Sequence, residues 1–182
     1  MKDFPPLTSV SVATFGGGCF WCTEAMFSEL KGVISAVSGY SSGSVENPSY
    51  HAVCSGSTGH AEVIQVEYNA EVISYQDLIR VHMGSHDPTT LNSQGADHGT
   101  QYRSIILPRN EDERQVAAAV IKEFEELLGI PIVTEVTDFE AFYPAEDNHQ
   151  CYYQDNPFAG YCNAVITPKM AKFRKTFQKF IA

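Results

Sequence analysis

The thiol of Cys19 is positioned for nucleophilic chemistry, because it follows Gly16-Gly17-Gly18 and stands at the start of a predicted helix. A thiol of ordinary pKa is only about 3% thiolate at pH 7. The unpaired N–H groups at a helix start favour the anion, so we expect a lowered pKa at Cys19. The glycines allow the backbone to approach a thiolate or a bound oxygen closely. A buried structural cysteine is the alternative, and these residues alone do not decide between the two.

The three residues after Cys19 add two further possibilities. Phe20 and Trp21, the single tryptophan of the chain, can wall a pocket for a small apolar group, although core packing is the ordinary role of such residues. Cys22 completes a C-x-x-C spacing, and one helical turn brings both sulfurs to the same side, as in a redox pair. From the spacing alone we favour the alternative that Cys22 is a small helix residue packed on the sheet.

Glu62 lies in a predicted strand, 61–68, on the face that it shares with Ile64, Val66 and Tyr68. This face is the more apolar one and is expected to point to the core. Burial there would raise the pKa of Glu62 and leave it able to donate a proton near neutral pH. The alternative is a carboxylate at the strand end that turns to solvent.

Tyr50, Tyr102 and Asp97 lie in or beside polar loops that contain glycine. A phenol can hydrogen-bond an oxygen without carrying charge, whereas an aspartate in such a loop ordinarily caps a turn. Their positions alone do not distinguish these three residues from others of their type.

The histidine and glycine spacings disfavour a metal site and a nucleotide site. His82 and His86 are four residues apart, but Gly84 lies between them and no second pair of ligands has zinc spacing. The glycine run before Cys19 lacks the Lys-Ser/Thr that phosphate binding requires. We therefore expect neither a metal nor an organic cofactor.

The composition indicates one acidic domain. The 182 residues include 12 basic and 22 acidic side chains, a net charge of −10, and they are enough for one sizeable core. The acidic balance argues against nucleic-acid binding and against anionic membrane surfaces, and no apolar run is long enough to span a membrane. Five cysteines, an odd number, and a start (residues 1–6) without an apolar signal-peptide region favour a reducing compartment, so we expect a cytoplasmic monomer.

The hydrophobic periodicity predicts the order β-α-β-β-α-β for the first six elements. It indicates strands at 9–15, 33–37, 61–68 and 102–107, helices at 19–31, 74–84 and 110–128, a further strand at 132–137, a terminal helix from Thr167, and long loops at 38–59 and 85–100. This order is typical of an α+β, ferredoxin-like split β-α-β fold with helices on one face of a mainly antiparallel sheet. We expect a single domain, 1–182, with a catalytic core at about 9–137 on which 138–182 packs.

Taken together in chain order, six short motifs resemble the peptide methionine sulfoxide reductase A family. They extend from about Ala13 to Lys169 and are Gly17-Gly18-Cys19-Phe20-Trp21, Asn47-Pro48-Ser49-Tyr50, Thr58-Gly59-His60-Ala61-Glu62, His86-Asp87-Pro88-Thr89, Gly99-Thr100-Gln101-Tyr102-Arg103-Ser104 and Tyr161-Cys162. The resemblance implies the reduction of methionine-S-sulfoxide, free or in proteins, as a repair activity under oxidative stress.

The resemblance also implies roles for particular residues. Cys19 would attack the sulfoxide sulfur and become a sulfenic acid, and Glu62 would act as the acid toward the oxygen. The remaining residues would form the substrate site, with Phe20 and Trp21 around the methyl group, Tyr50 and Tyr102 hydrogen-bonded to the oxygen, and Asp97 ordering a water or the substrate nearby.

A second thiol would then form a disulfide with Cys19, and thioredoxin or another dithiol would restore both. Cys162 matches the family's first resolving position and is our first choice, with Cys22 the second; the family's later resolving cysteine is absent. We expect Cys54 and Cys151 to be structural. Two other hypotheses remain: a general dithiol–disulfide oxidoreductase that uses Cys19 and Cys22, and a binder of oxidised or methionine-rich peptides in which Cys19 is inert.

Overall fold

The computed structural model describes residues 9–182, so the segment 1–6 considered above for a signal peptide lies outside the described residues. The strands are β1 (Val10–Gly16), β2 (Val33–Ser41), β3 (Ala61–Asn69), β4 (Ser93–Gln94), β5 (Asp97–His98), β6 (Ile105–Ile106), β7 (Glu135–Val136) and β8 (Phe142–Pro144). The α-helices are α1 (Phe20–Phe27), α2 (Tyr50–Cys54), α3 (Tyr75–Ser85), α4 (Glu111–Leu128), α5 (Tyr152–Asp155) and α6 (Thr167–Thr176). Within residues 9–182, no helix combines the length and apolar character of a membrane span.

Six strands form one sheet in the order β7-β6-β1-β3-β2-β8, and β4 pairs with β5 in a separate hairpin. Every pairing in the large sheet is antiparallel except that of β6 with β7. The two central strands, β1 and β3, place Phe15 opposite Ile64, while Gly16 lies opposite Ile105 of β6. The predicted mainly antiparallel sheet with split β-α-β order is confirmed.

Strand β3 is buried on both faces near its start, which places Glu62 in the core. Ile64 and Val66 belong to the main core, together with apolar side chains of α1 and α3. On the opposite face, Ala61 and Val63 form a smaller cluster with residues of and after β6. The prediction that Glu62 shares the core face with Ile64 and Val66 is confirmed, because all three side chains are at most 1% exposed.

Helices α3 and α4 begin at the predicted caps. Ser74 Oγ accepts a hydrogen bond from the Asp77 N–H at 3.0 Å, and Asn110 Oδ1 accepts one from the Glu113 N–H at 2.9 Å. Each bond satisfies one of the N–H groups that a helix start leaves without a partner. Helix α4 ends at Gly129, whose φ of 69° is the left-handed conformation that glycine adopts most readily.

We expect Asn110→Ala to destabilise the protein by about 1 kcal/mol, because it removes the cap of the longest helix. Urea unfolding followed by circular dichroism measures this difference. Asn110→Asp is the matched control, since its carboxylate can accept the same hydrogen bond. Equal losses for both variants would show that the cap is not the cause.

The predicted end of α1 at Lys31 is wrong, since the helix ends at Phe27. The residues that follow Phe27 form backbone contacts with the C-terminal segment instead of continuing the helix. Leu30 forms an antiparallel bridge with Ile181, and the Lys31 N–H donates to the Phe180 carbonyl at 2.8 Å. These contacts replace the last helical turn.

The predicted loop at 38–59 is shorter than expected, because β2 continues to Ser41 and α2 lies within the remainder. Strand β8, from the stretch that we described as loop-like, pairs with β2 and extends its edge. The predicted strands at 102–107 and 132–137 are only two residues long. The terminal helix starts at Thr167 as expected, directly after a π-helical turn at Cys162–Ile166.

Candidate active site

Cys19 stands at the N-cap position of α1, where β1 turns into the helix. Gly18 has φ of 82°, and its N–H donates to the Tyr102 carbonyl at 3.1 Å. A Cβ atom on Gly17 would lie 2.7 Å from the His86 ring, so the turn has no room for a side chain there. The glycines therefore serve close packing as well as a left-handed turn. They hold Cys19, which is 8% exposed, at the edge of the core.

Glu62 is joined to the start of the same helix. The Phe20 backbone N–H donates to Glu62 Oε2 at 3.0 Å, and the carboxyl is 1% exposed. Burial raises the pKa of Glu62 to about 8, and the negative charges of Asp97 and Cys22 add to the effect. Most Glu62 side chains are therefore protonated at neutral pH. Because Oε2 accepts the Phe20 hydrogen bond, the proton of the neutral acid lies on Oε1.

The expectation that the helix start lowers the pKa of Cys19 is wrong for the substrate-free protein. A thiol–thiol hydrogen bond with Cys22, burial and the charge of ionised Glu62 raise the pKa of Cys19 well above its ordinary value. The same thiol–thiol bond lowers the pKa of Cys22, with help from the positive charge of Lys169. One helical turn thus places Cys22 beside Cys19, and Cys22 is also packed in the core, where it is 3% exposed.

An aromatic wall surrounds the helix start. Trp21 stacks on Tyr152 with ring centroids 3.7 Å apart, and its Nε1–H donates to His149 Nδ1 at 3.2 Å. The ring of Phe20 stacks on that of Tyr50 at 6.3 Å. Phe20 is 1% exposed, whereas Trp21 is only partly buried. The two aromatic residues of the motif thus belong to an aromatic cluster of Phe20, Trp21, Tyr50, Tyr152 and His149 beside Cys19, called the aromatic recess below.

The two candidate oxygen-binding phenols belong to different elements that meet at this recess. Tyr50 begins α2, and Tyr102 ends the short 3₁₀ turn before β6. Burial raises the pKa of both phenols, and the nearby negative charge of Glu62 contributes to each shift. Both therefore keep their O–H donors at neutral pH. Asp97, in β5, accepts a hydrogen bond from the Tyr161 hydroxyl at 2.7 Å.

Two residues that the sequence analysis did not single out belong to this site. Tyr161 packs edge-on against Trp21 and hydrogen-bonds Asp97, and His149 accepts a hydrogen bond from Trp21 and packs at a tilt against Tyr50, with ring centroids 4.2 Å apart. Tyr161 could have been identified from the sequence, because it precedes Cys162 in the last of the six motifs. No sequence pattern indicated His149, because it lies in an aromatic stretch more than 120 residues from the tryptophan that it contacts.

The five cysteines are all free thiols. Cys162 is 0% exposed, at the first residue of the π-helical turn, and burial together with the nearby charge of Cys22 raises its pKa. Cys22 is therefore near enough to both Cys19 and Cys162 to affect the pKa of each. Of the two cysteines expected to be structural, Cys151 is exposed, and Cys54 interacts with the Tyr50 hydroxyl at the edge of the recess.

His82 and His86 support the glycine turn. Their rings stack with centroids 4.4 Å apart, and His86 hydrogen-bonds the His82 carbonyl through Nδ1 and Ser104 Oγ through Nε2. Burial lowers the pKa of His86 to about 4, so this ring is neutral at physiological pH. Among residues 9–182, no cluster of three or more His, Cys, Asp or Glu side chains is arranged to hold a metal ion.

Comparisons with known proteins show the family to which the chain is similar. The family model of peptide methionine sulfoxide reductase matches residues 11–181. Peptide methionine sulfoxide reductase MsrA of Polynucleobacter asymbioticus is 48% identical over 183 residues, which cover 100% of this chain and 95% of that protein. The reduced form of Mxr1 from Saccharomyces cerevisiae has a TM-score of 0.80 at 35% identity, covering 88% of this chain and 92% of that chain.

Mxr1 in complex with Trx2 shares the fold, with a TM-score of 0.57 at 24% identity and coverage of 82% of this chain and 88% of that chain. The family model spans nearly all of the described residues, and the bacterial relative is almost half identical along its whole length. This chain belongs to the peptide methionine sulfoxide reductase family.

Proposed function

We propose that this protein reduces methionine-S-sulfoxide, free or in proteins, to methionine by thiol chemistry at Cys19. One observation carries the proposal. A buried carboxyl, Glu62, with a pKa of about 8, is hydrogen-bonded to the helix start that carries Cys19, beside an aromatic recess. A nucleophilic sulfur and a proton donor then lie together beside apolar aromatic side chains, an arrangement that suits a sulfoxide carrying a methyl group.

In the first step, the Cys19 sulfur attacks the sulfoxide sulfur while Glu62 donates a proton to the oxygen. A sulfoxide is a poor electrophile until its oxygen is protonated or strongly hydrogen-bonded, and Tyr50 and Tyr102 supply further hydrogen bonds there. The attack forms a sulfur–sulfur bond, and the oxygen leaves as water with the protons of Glu62 and of the Cys19 thiol. Water then adds to Cys19, which becomes a sulfenic acid, while methionine leaves with the electron pair of the sulfur–sulfur bond and the released proton returns to Glu62. The sulfoxide gains two electrons and Cys19 loses them.

In the second step, a neighbouring thiol condenses with the sulfenic acid and releases water. Cys22 is the thiol beside Cys19, and its lowered pKa increases its thiolate fraction. Cys162 then attacks Cys22, which leaves a Cys22–Cys162 disulfide and restores the Cys19 thiol. In this order Cys22, the neighbour of Cys19, forms the first disulfide, and Cys162 forms the second. The order also places the final disulfide on the C-terminal segment.

A dithiol reductant closes the cycle, and we propose thioredoxin in a reducing compartment, the cytoplasm. The complex of the similar protein Mxr1 with Trx2 supports this choice. Two electrons pass from the reductant to the protein disulfide, so neither a metal nor an organic cofactor takes part in the cycle.

The defining test is the reaction without reductant. Pre-reduced protein mixed with excess methionine-S-sulfoxide should release about two methionines per chain, because the restored Cys19 thiol reacts a second time, together with one equivalent of disulfide found by mass spectrometry. The R epimer is the control and should release none. No methionine from either epimer would refute the proposed function and would leave the protein a binder with an inert Cys19.

A general dithiol–disulfide oxidoreductase is the second candidate, favoured by the C-x-x-C pair at a helix start and the lowered pKa of Cys22. Cys22→Ser separates the two functions. The sulfoxide reductase should still complete a first turnover, since Cys19 alone carries the attack. A dithiol exchanger should lose its activity with protein disulfides altogether.

We expect Cys162→Ser to keep the first methionine release unchanged and to reduce thioredoxin-driven turnover by at least about tenfold. The reason is that the disulfide then remains between Cys19 and Cys22 and cannot pass to the C-terminal segment, on which thioredoxin is proposed to act. Stopped-flow release and steady-state rates measure the two quantities. Cys151→Ser, at an exposed thiol, is the control. Unchanged steady-state rates would exclude Cys162 from recycling.

A further inference from the structure

The C-terminal segment has a charge opposite to that of the rest of the chain. Residues 167–182 contain five basic side chains and no acidic one, whereas the other 166 residues hold all 22 acidic side chains and only 7 basic ones. Four lysines, called the lysine stripe below, lie three or four residues apart along α6 and the turn after it: Lys169, Lys172, Lys175 and Lys179. This spacing places successive lysines one helical turn apart and close to one face of the helix.

The lysine stripe is not neutralised by the protein itself. Within residues 9–182, the ion pairs are all made by arginines, and Arg174 of the same helix pairs with Glu29. Lys172, Lys175 and Lys179 are exposed, and Lys169 is partly buried. On an acidic protein, a cationic surface without internal partners is suited to an acidic macromolecule.

A cavity of about 630 Å³ borders the stripe. Lys169 and Lys172 line one side of it, and the apolar side chains of Phe124, Leu128 and Phe177 line another. An apolar recess with charged groups at its rim is the usual composition of a protein-binding surface.

The lysine stripe also follows Cys162, the proposed recycling thiol, closely in the chain. The π-helical turn that begins with Cys162 runs directly into α6. Lys172 and Lys175 follow Cys162 by ten and thirteen residues, which is about 15 and 20 Å along a helix. A protein partner covers about 800 Å² of surface, roughly 30 Å across, so one centred on the chain around Cys162, whose own side chain is buried, is large enough to extend over these lysines.

From this placement we propose that the lysine stripe is the docking surface for an acidic dithiol reductant of the thioredoxin type. The inference rests on the proposed function, because it assumes that such a reductant must reach Cys162. The occupant is the reductant and not the oxidised substrate, since the recess at Tyr50 is bordered by Glu146, which accepts hydrogen bonds from both Tyr50 and Tyr40. Acidic substrates gain nothing at that end of the molecule.

Charge reversal at two exposed positions tests this docking surface. Lys172→Glu/Lys175→Glu should lower kcat/KM for a thioredoxin of net negative charge roughly tenfold at low salt, because opposite charges steer association. Lys169 is left unchanged, since its charge acts on Cys22. The matched control is Lys31→Glu/Lys122→Glu, which changes the net charge equally at two exposed lysines elsewhere. This control should behave as the parent protein.

Salt and a small reductant complete the experiment. Rising salt should weaken thioredoxin-driven turnover of the parent protein and have little effect on the stripe variant, because salt screens exposed charges. With dithiothreitol, all three proteins should form methionine at equal rates. Thioredoxin kinetics that are the same in both double variants would overturn the inference, as would a higher KM for an acidic sulfoxide peptide in the stripe variant. If the parent forms no methionine even with dithiothreitol, the proposed function fails, and the inference with it.

Discussion

Cys19→Ser is expected to lower the rate of methionine release by at least about 10³-fold, because a serine hydroxyl is a much weaker nucleophile than a thiol and does not form a sulfenic acid. The effect should appear equally in single-turnover and steady-state measurements, since both depend on the first attack. Binding of the sulfoxide should change little, because the aromatic recess around Phe20 and Trp21 remains in place.

Two further variants make this result specific. Cys151→Ser should keep the parent rate, because this thiol is exposed and has no step in the proposed cycle. Cys22→Ser should keep the first turnover. If Cys19→Ser retained stoichiometric methionine release while Cys22→Ser lost it, the nucleophile would be Cys22 and the mechanism proposed here would be wrong.

Glu62→Gln is expected to slow the chemical step by about 10²- to 10³-fold, the usual range for losing a general acid. The amide keeps a hydrogen-bond donor beside the sulfoxide oxygen but transfers no proton. The pH dependence gives the sharper test. In the parent protein the rate should fall as the pH rises through about 8, where Glu62 loses its proton. In the variant this decline should be absent.

Stability provides an independent measurement of the same carboxyl. Burial raises the pKa of Glu62 in the folded state above its unfolded value, so the folded protein binds this proton more tightly. The resulting stabilisation is fully present below the unfolded pKa and is lost as the pH rises to about 8. The Tm of the parent protein should therefore fall relative to that of Glu62→Gln over this range. Parallel Tm curves for the two proteins would show that Glu62 titrates normally.

The local features of this protein were readable from its sequence. The alternating pattern of β3 placed Glu62 on the core face, because successive strand residues point to opposite sides. The caps at Ser74 and Asn110 were readable because a cap is a contact between residues three apart. The glycine run before Cys19 marked the turn that ends β1.

Other features depend on residues that are distant in the chain. The end of α1 was predicted wrongly because Leu30 bridges to Ile181 near the C-terminus, a contact that no local pattern contains. Strand β8 exists because the edge of β2 offers unpaired backbone groups to it. Such pairings are selected by the whole fold.

The sequence by itself determined which side chains are available for the reaction: a thiol at a helix start, a carboxyl on an apolar strand face and the phenols in the loops. Only the tertiary structure decided their protonation and their neighbours. It raised the pKa of Cys19, brought Cys22 near both Cys19 and Cys162, and set His149 against Trp21. The physical reason is that burial and electrostatic interactions depend on distance in space, and these residues meet only when distant parts of the chain fold together.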